Sequence, residues 1–204
     1  MELYLAILLF TATASITPGP NNIMIMAAGV NFGIQKSLPH LFGICLGFPI
    51  MVIAIGLGFS VVFNAYPLLH NAINVIGIIY LLYLAWLIAS AKPTKIRTDA
   101  TKPLSFIQAV LFQWVNPKAW VMATGAISAY TSSDGDILGH VLFIAFAFSI
   151  TAGISVGIWL VFGAGLKRYL DNPLHYRVFN IVMAMLLVGS MSPVIINLIE
   201  QYLV

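Results

Sequence analysis

Lys118 is the only charged residue of this sequence that stands inside a long apolar segment, between Leu104 and Tyr130. If that segment crosses a membrane, the lysine costs roughly 3 kcal/mol on insertion scales, so it needs a wet surrounding and an anionic partner. All six acidic residues fall in predicted loops or tails. We therefore expect the partner of Lys118 to be the carboxylate of a bound ligand. Lys118 would instead be a simple interfacial residue if residues 104–116 lay along the membrane surface.

The residues around Lys118 provide groups for the other end of such a ligand. Gln113 and Asn116 carry amides, and Trp114 and Trp120 carry aromatic faces that attract a cation. Backbone carbonyls released at a helix break would accept hydrogen bonds from an ammonium group. This combination predicts a zwitterionic amino acid as ligand. The alternative roles are structural, with the amides tying helices together and the tryptophans facing lipid.

A second polar stretch, TPGPNN at 17–22, interrupts the first apolar segment. Its two prolines and one glycine cannot continue a regular helix, so the helix must open there. Asn21 and Asn22 can cap the helix that restarts after Pro20, whose N-terminal amides suit an anion. A packing kink is the simpler alternative. The residues predicted to bind substrate are Thr17, Pro18, Gly19, Pro20, Asn21, Asn22, Gln113, Asn116, Pro117 and Lys118.

The composition places these two stretches in a membrane protein. Of the 204 residues, 61% are hydrophobic and 7% are charged, whereas soluble domains carry about 25% charged residues. The sequence therefore predicts an all-α integral membrane protein with one transmembrane domain over residues 1–204 and the lipid bilayer as its surroundings. The net charge of +3 does not indicate nucleic-acid binding, because the membrane topology explains where the charges lie.

Six apolar segments are long enough to span a bilayer, which takes about 20 residues. Helical rise puts the first break about 21 Å and the second about 18 Å from the ends of their spans. The first and fourth helices are therefore predicted to break near mid-membrane, approached from opposite sides. The predicted spans are Leu3–Val30, Leu38–Phe63, Leu68–Ser90, Leu104–Tyr130, Leu138–Gly165 and Arg177–Ile199.

The basic residues support this span count. Eight of the nine fall in alternate predicted loops, and Lys118 is the ninth. The positive-inside rule places those loops in the cytoplasm and both termini outside. Tyr169 and Tyr176 are predicted to anchor the inner interface. The basic loop residues are Lys36, Lys92, Lys95, Arg97, Lys102, Lys167, Arg168 and Arg177.

The matching positions of the two breaks predict a 3+3 inverted repeat, with halves at about 1–91 and 103–204. Two interrupted helices in corresponding positions are the best sequence indication of a transporter's binding site. Gly43 with Gly47, and Gly153 with Gly157, are spaced for close helix approach. Internal packing is the favoured interpretation, and a homo-oligomer interface is the alternative.

Other kinds of site have little support. Cys45 is a single cysteine, so an internal disulfide and a dithiol redox role are excluded. The four histidines fall at predicted span ends or in loops, where structural or solvated roles are expected. No metal site, cofactor site or catalytic set can be placed, so the protein is not expected to be an enzyme. With no intramembrane acid or histidine, proton coupling would fall to Lys118 or to the substrate.

The motifs TPGPNN and VNPKAW, together with Gly77, Tyr80–Leu84 and Trp86, resemble the LysE/RhtB family of bacterial amino-acid exporters. The likeness covers nearly the whole chain. Gln113, where the family often has asparagine, is similar to the branch that exports cysteine and O-acetylserine. The resemblance implies a multi-pass protein of the bacterial inner membrane.

The resemblance also implies secondary active export of amino acids or close derivatives, with protons as coupling ion. Two opposed broken helices with one cation and no acid favour small neutral amino acids or derivatives as substrates. Candidate substrates are cysteine and O-acetylserine, threonine and homoserine, or leucine-like amino acids. The absence of an intramembrane acid argues against lysine or arginine. A non-transporting membrane scaffold is the alternative function, and its weakness is that Lys118 is a costly residue for packing alone. An intramembrane enzyme or a channel would need groups that the sequence does not show.

Overall fold

The computed structural model describes residues 2–59, 67–91, 102–131, 136–170, 172–192 and 195–196. Helices form nearly all of this part of the chain, and it contains no strand, as the all-α prediction requires. The helices are α1 (Glu2–Ile16), α2 (Pro20–Phe32), α3 (Ile34–Ala54), α4 (Pro67–Ala89), α5 (Phe106–Phe112), α6 (Pro117–Tyr130), α7 (Ile137–Leu166) and α8 (Pro173–Gly189).

Proline marks the start of four helices, namely α2, α4, α6 and α8. The fixed φ of proline suits the first helical position, where its missing N–H would have no partner in any case. Asparagine side chains cap two of these starts. Asn116 accepts a hydrogen bond from the Lys118 amide at 3.2 Å, and Asn172 accepts one from the Leu174 amide at 2.8 Å. These local signals define where each helix begins.

Two predicted span boundaries were wrong by about one turn. Helix α3 begins at Ile34 instead of Leu38, because Gly33, with φ of 80°, makes the whole turn between α2 and α3. Helix α8 begins at Pro173 instead of Arg177, because Asn172 caps it there. Several sequence predictions concern residues outside the described part of the chain: Lys92, Lys95, Arg97 and most of residues 193–199.

Two helical stretches are individually long and apolar enough to cross a bilayer, Ile34–Gly58 with 25 residues and Ile137–Tyr169 with 33. Helices α1 and α2 would form a third span bent by 51° at the break. Large apolar side chains cover the outer faces of the helices. Val121 is 71% exposed and Ile107 is 66% exposed. Such extensive apolar surface belongs in lipid.

Helix α7 lies at the centre of the packing, where α1, α2 and α3 all contact it. Helix α5 packs on α3, and α8 packs on α4 and α2. The second predicted span therefore contacts the fifth, and the third contacts the sixth. This arrangement brings the break after α1 and the break before α6 to the same region of the protein.

Glycines permit the closest helix contacts, although only some of the predicted pairs do so. Gly43 and Gly47 face the backbone of α5 so closely that neither leaves room for a Cβ atom, which confirms internal packing. The second pair was predicted incorrectly, because Gly157 has no atom near the position a Cβ would take. The close approach of α7 is made instead by Gly163, which faces the backbone of α2, where Gly29 faces α7 in return.

Candidate functional site

The side chain of Lys118 joins the two helix breaks. Its Nζ donates hydrogen bonds to the backbone oxygen of Thr17 at 2.6 Å and to the Thr17 hydroxyl at 2.7 Å. Its methylene groups lie over Gly19, where any Cβ atom would collide with them. Of the described carboxylates, Glu2 lies in the first turn of α1 and Asp136 caps α7. Within the described chain, Lys118 is thus held by Thr17 and not by an acid.

Side chains from α2 and α7 satisfy the carbonyl groups released at the end of α1. The Asn22 amide donates to the Ser15 oxygen at 2.8 Å and to the Thr17 oxygen at 3.0 Å. From α7, the Ser155 hydroxyl donates to the Ser15 oxygen at 2.8 Å, and the Trp159 ring N–H donates to the Ile16 oxygen at 3.3 Å. The break is therefore stabilised by specific hydrogen bonds from neighbouring helices.

The predicted capping of α2 by asparagine was wrong. Gly19 occupies the N-cap position with extended backbone and makes no side-chain cap bond, and Pro20 is the first helical residue. Asn21 and Asn22 are therefore already inside the first turn of α2. From there the Asn22 side chain reaches back to α1, and that of Asn21 reaches across to α5. The amides at the start of α2 consequently have no side-chain cap.

Gln113 links α5 to the first break. Asn21 Nδ2 donates to Gln113 Oε1 at 2.8 Å, and Gln113 Nε2 donates in return to Asn21 Oδ1 at 3.2 Å and to the Ala109 oxygen at 2.9 Å. Gln113 is fully buried. Because each amide uses both its donor and its acceptor, the pair acts as a tie between the two broken segments.

The two tryptophans beside Lys118 pack against each other. The Trp120 ring N–H donates to the Trp114 oxygen at 2.8 Å, and the two rings meet edge to face with centroids 6.1 Å apart. Trp120 is 7% exposed and belongs to the apolar core. A lipid-facing position therefore does not fit Trp120. Neither ring is among the groups that line the cavity described next.

A small cavity of about 30 Å³ lies between the two breaks. Lys118 lines it together with the start of α2, at Gly19 and Asn21, and the start of α6, at Asn116. Two helix N-termini and one ammonium group therefore face the same space, which makes it favourable for an anion. The volume accommodates a water molecule or two, so the site must widen before it can hold an amino acid. Ser15 and Asn22 add further polar groups to the lining, and its apolar part comprises Ile44, Phe48, Ala119, Met122, Ala152 and Val156.

The buried amide of Asn22 should be important for stability. Replacing Asn22 by leucine removes its two hydrogen bonds to the Ser15 and Thr17 oxygens, and a lost buried hydrogen bond costs about 1–3 kcal/mol. We expect the purified variant to unfold at a clearly lower temperature than the wild type in the same detergent. The matched control is Gln35→Leu, the same kind of change at an exposed amide in the first turn of α3, which should change the midpoint little. Equal midpoints for Asn22→Leu and wild type would contradict this role.

Several residues of this region carry no sequence signal. Ser15 and Ser155 are ordinary small residues within apolar helices, and only the fold shows that they meet. Tyr176, predicted as an interface anchor, is 3% exposed and donates its hydroxyl to Asn31. Asn31 also donates to Asn180 at 2.8 Å, which gives a buried polar cluster between α2 and α8. The sequence feature that could have revealed this cluster is Asn31 itself, because it is an asparagine within an apolar span.

His40 is a further correction. It was placed at a span end, but the earlier start of α3 puts it nearly two turns into the helix, where it is 2% exposed. Among the described histidine, cysteine and acidic residues, no three are grouped closely enough to hold a metal ion.

Comparison with known proteins places this chain in a family. The LysE type translocator family matches residues 12–191. A cysteine/O-acetylserine efflux protein of Escherichia coli O1:K1 / APEC is 31% identical over 180 residues, which cover 88% of this chain and 90% of that protein. The cysteine/O-acetylserine efflux protein of Salmonella choleraesuis (strain SC-B67) is 29% identical over 181 residues, with the same coverage of each chain. No solved structure matches. The chain is a member of the LysE type translocator family.

Proposed function

We propose that this protein exports small neutral amino acids, whose carboxylate binds Lys118 between the starts of α2 and α6. The observation that carries the proposal is the position of the Lys118 ammonium group. It faces a cavity lined by two helix N-termini, and its described partners are the two oxygens of Thr17. A carboxylate is the ligand group that this arrangement would hold best, because it meets one full charge and two helix dipoles.

Without substrate, the Thr17 oxygens would accept the hydrogen bonds of Lys118 that the substrate carboxylate accepts when it binds. The Ser15 and Thr17 oxygens each accept two hydrogen bonds, from Asn22 together with Ser155 or Lys118. A carbonyl oxygen has two lone pairs, so neither can accept an ammonium group in this closed state. Once Lys118 turns to a substrate carboxylate, the Thr17 oxygens become free to accept from the substrate ammonium group. The amino acid would then lie between Lys118 and Thr17.

The cavity wall argues for a neutral side chain. Six of the described lining residues are apolar, and none of the described lining residues carries a carboxylate that could neutralise lysine or arginine. The relatives are named cysteine/O-acetylserine efflux proteins, so these two compounds are the first candidates. Threonine, homoserine and leucine-like amino acids follow.

The transport cycle requires a membrane arrangement that the packing supports. We propose six spans in two inverted halves, with both termini outside the inner membrane. The contacts of α3 with α7 and of α4 with α8 pair equivalent spans of the two halves, as such a repeat would. Export would be driven by the proton gradient, with the proton carried by Lys118 or by the substrate.

Amino-acid release tests the proposed function. Cells that express the protein would be loaded with amino acids from dipeptides, and the medium would be assayed over time beside cells with an empty vector. We expect faster release of cysteine, or of another small neutral amino acid, and no change for arginine. Faster release of arginine with no effect on neutral amino acids would contradict the substrate class. Unchanged release of every amino acid, with the protein present in the membrane, would contradict export itself.

A further inference from the structure

A second, larger cavity lies at the end of the protein where α2 turns into α3 and the chain enters α5. Its volume is about 450 Å³, which is within the usual range for a small-molecule site. We call it the vestibule. It is lined by the second half of α2, the second half of α4 and the start of α5, and it has no lining residue in common with the cavity beside Lys118.

His40 is a buried polar residue of the vestibule whose hydrogen-bonding capacity is unused, and the hydroxyl groups of Tyr80 and Tyr83 line the same space. Its side chain is 2% exposed, and neither ring nitrogen has a hydrogen-bond partner among the described residues. A neutral imidazole presents one donor and one acceptor, and leaving both unpaired in a buried place is unfavourable. A water molecule or a ligand that reaches the ring would satisfy both nitrogens.

The neighbouring polar groups are already occupied. The Asn31 amide donates to the Ala27 and Asn180 oxygens, both at 2.8 Å, and its oxygen accepts from Tyr176. Ser105 and Gln108 bond to each other in a capping box at the start of α5. These groups shape the wall, whereas His40, the exposed Lys102 and the hydroxyl groups of Tyr80 and Tyr83 remain to meet a ligand.

We infer that the vestibule is a second amino-acid site, which captures the substrate before it reaches Lys118. Lys102 supplies a positive charge for the carboxylate, and His40 supplies an acceptor for the ammonium group together with a donor. Ala27, Leu84 and Leu87 form an apolar wall for a small neutral side chain. The inference rests on the proposed function for the identity of its ligand. Under the proposed orientation the vestibule faces the cytoplasm, from which an exported amino acid comes.

The two cavities have no lining residue in common, so they are separate sites. Phe112 is 1% exposed and Met24 is 4% exposed, and both belong to one apolar cluster with members on α2, α4, α5 and α8. The Asn21–Gln113 tie joins α2 to the turn that follows α5. A substrate in the vestibule would wait on one side of this packed region. Two separate binding events per chain are therefore expected.

Binding stoichiometry tests the inference. Full-length protein in nanodiscs would be equilibrated with radiolabelled L-cysteine kept reduced. We expect two cysteines per chain for the wild type, one for His40→Phe, one for Lys118→Met and none for the double variant. His175→Phe, the same change at an exposed histidine, should still bind two. Phenylalanine keeps a ring of similar size in the buried position while removing both nitrogens.

Lys102→Gln provides a second test of the vestibule in case His40→Phe fails to fold. The Lys102 side chain is exposed, so its replacement should not disturb folding. It should weaken the vestibule site about tenfold, as the loss of one charge-assisted hydrogen bond would. One cysteine per wild-type chain, lost in Lys118→Met and kept in His40→Phe, would overturn the vestibule site alone. One cysteine per wild-type chain, lost in His40→Phe and kept in Lys118→Met, would overturn the Lys118 site and leave the vestibule site. No binding to the wild type would overturn both, and unchanged affinity in Lys102→Gln would overturn the role of that lysine.

Discussion

Lys118→Met is expected to reduce amino-acid export to the level of cells that lack the protein, without reducing the amount of protein in the membrane. Methionine keeps most of the lysine stem, so the packing over Gly19 can persist. What disappears is the ammonium group that bonds to Thr17 at 2.6 and 2.7 Å. In the proposed complex the same group holds the substrate carboxylate, and the loss of a hydrogen bond to a charged group costs about 1.5–3 kcal/mol, which is roughly tenfold or more in affinity.

Folding and insertion should not suffer from this change. A charged lysine inside the membrane is costly, so its replacement by an apolar side chain eases insertion. The Thr17 oxygen still accepts from Asn22 at 3.0 Å, so that carbonyl keeps one partner. The loss should therefore appear in transport alone.

The matched control is Lys36→Met, the same replacement at an exposed lysine near the start of α3. Release from cells loaded with dipeptides would be compared at equal membrane abundance. Lys36→Met should export like the wild type. Export at the wild-type rate by Lys118→Met would remove Lys118 from the site and with it the proposed position of the carboxylate.

The sequence predicted the two helix breaks because proline and glycine act locally. Pro20 and Pro117 each start a new helix, so both interruptions can be located without any tertiary information. Lys118 stands out because charge is rare in apolar segments. Their meeting in space followed from the expectation of two opposed half-spans, and the Lys118–Thr17 bonds show that the two breaks are in contact.

Other parts of the site depend on tertiary contacts that leave no local pattern. Ser155 reaches the end of α1 across 140 positions of sequence, and serine in an apolar helix is not unusual. The direction of the Asn22 side chain was unpredictable for the same reason. An asparagine near a helix start normally caps that helix, but here the nearest unsatisfied carbonyls belong to α1.

His40 shows how a boundary error hides a functional candidate. A shift of the start of α3 by one turn changes this residue from an interfacial histidine to a buried one. Helix boundaries read from sequence are uncertain by two to four residues, about one turn. The surrounding cavity is formed by α2, α4 and α5, whose mutual positions no local pattern specifies.

Gly29→Val is expected to have the largest effect on stability, because α2 and α7 touch backbone to backbone there. A Cβ atom at position 29 would lie 2.5 Å from the Leu160 oxygen and 2.9 Å from the Ala164 nitrogen. Both are backbone atoms of α7, so no side-chain rotation can relieve the collision. Overpacking of this kind costs about 1–3 kcal/mol and sometimes more, and valine adds two methyl groups to the clash.

Separation of α2 from α7 would also disturb the site. Ser155 and Trp159 of α7 hold the Ser15 and Ile16 oxygens at the end of α1, next to the start of α2. We therefore expect Gly29→Val to give little monodisperse protein after purification and a strongly lowered unfolding midpoint. Gly29→Ala should show the same defect more weakly. Fluorescence-detected size exclusion and thermal unfolding in one detergent would measure both.

Gly157→Ala is the matched control, because it changes a glycine in the same helix pair at a place where a Cβ atom has nothing within 4 Å. Alanine is favoured over glycine in a helix by about 1 kcal/mol, so this variant should be as stable as the wild type or more so. Gly163→Ala, which places a Cβ against the backbone of Met26 from the opposite side, should behave like Gly29→Ala. Wild-type stability in Gly29→Ala and Gly163→Ala together would mean that α2 and α7 are not in backbone contact. The α7 side chains would then lose the position from which they complete the first break.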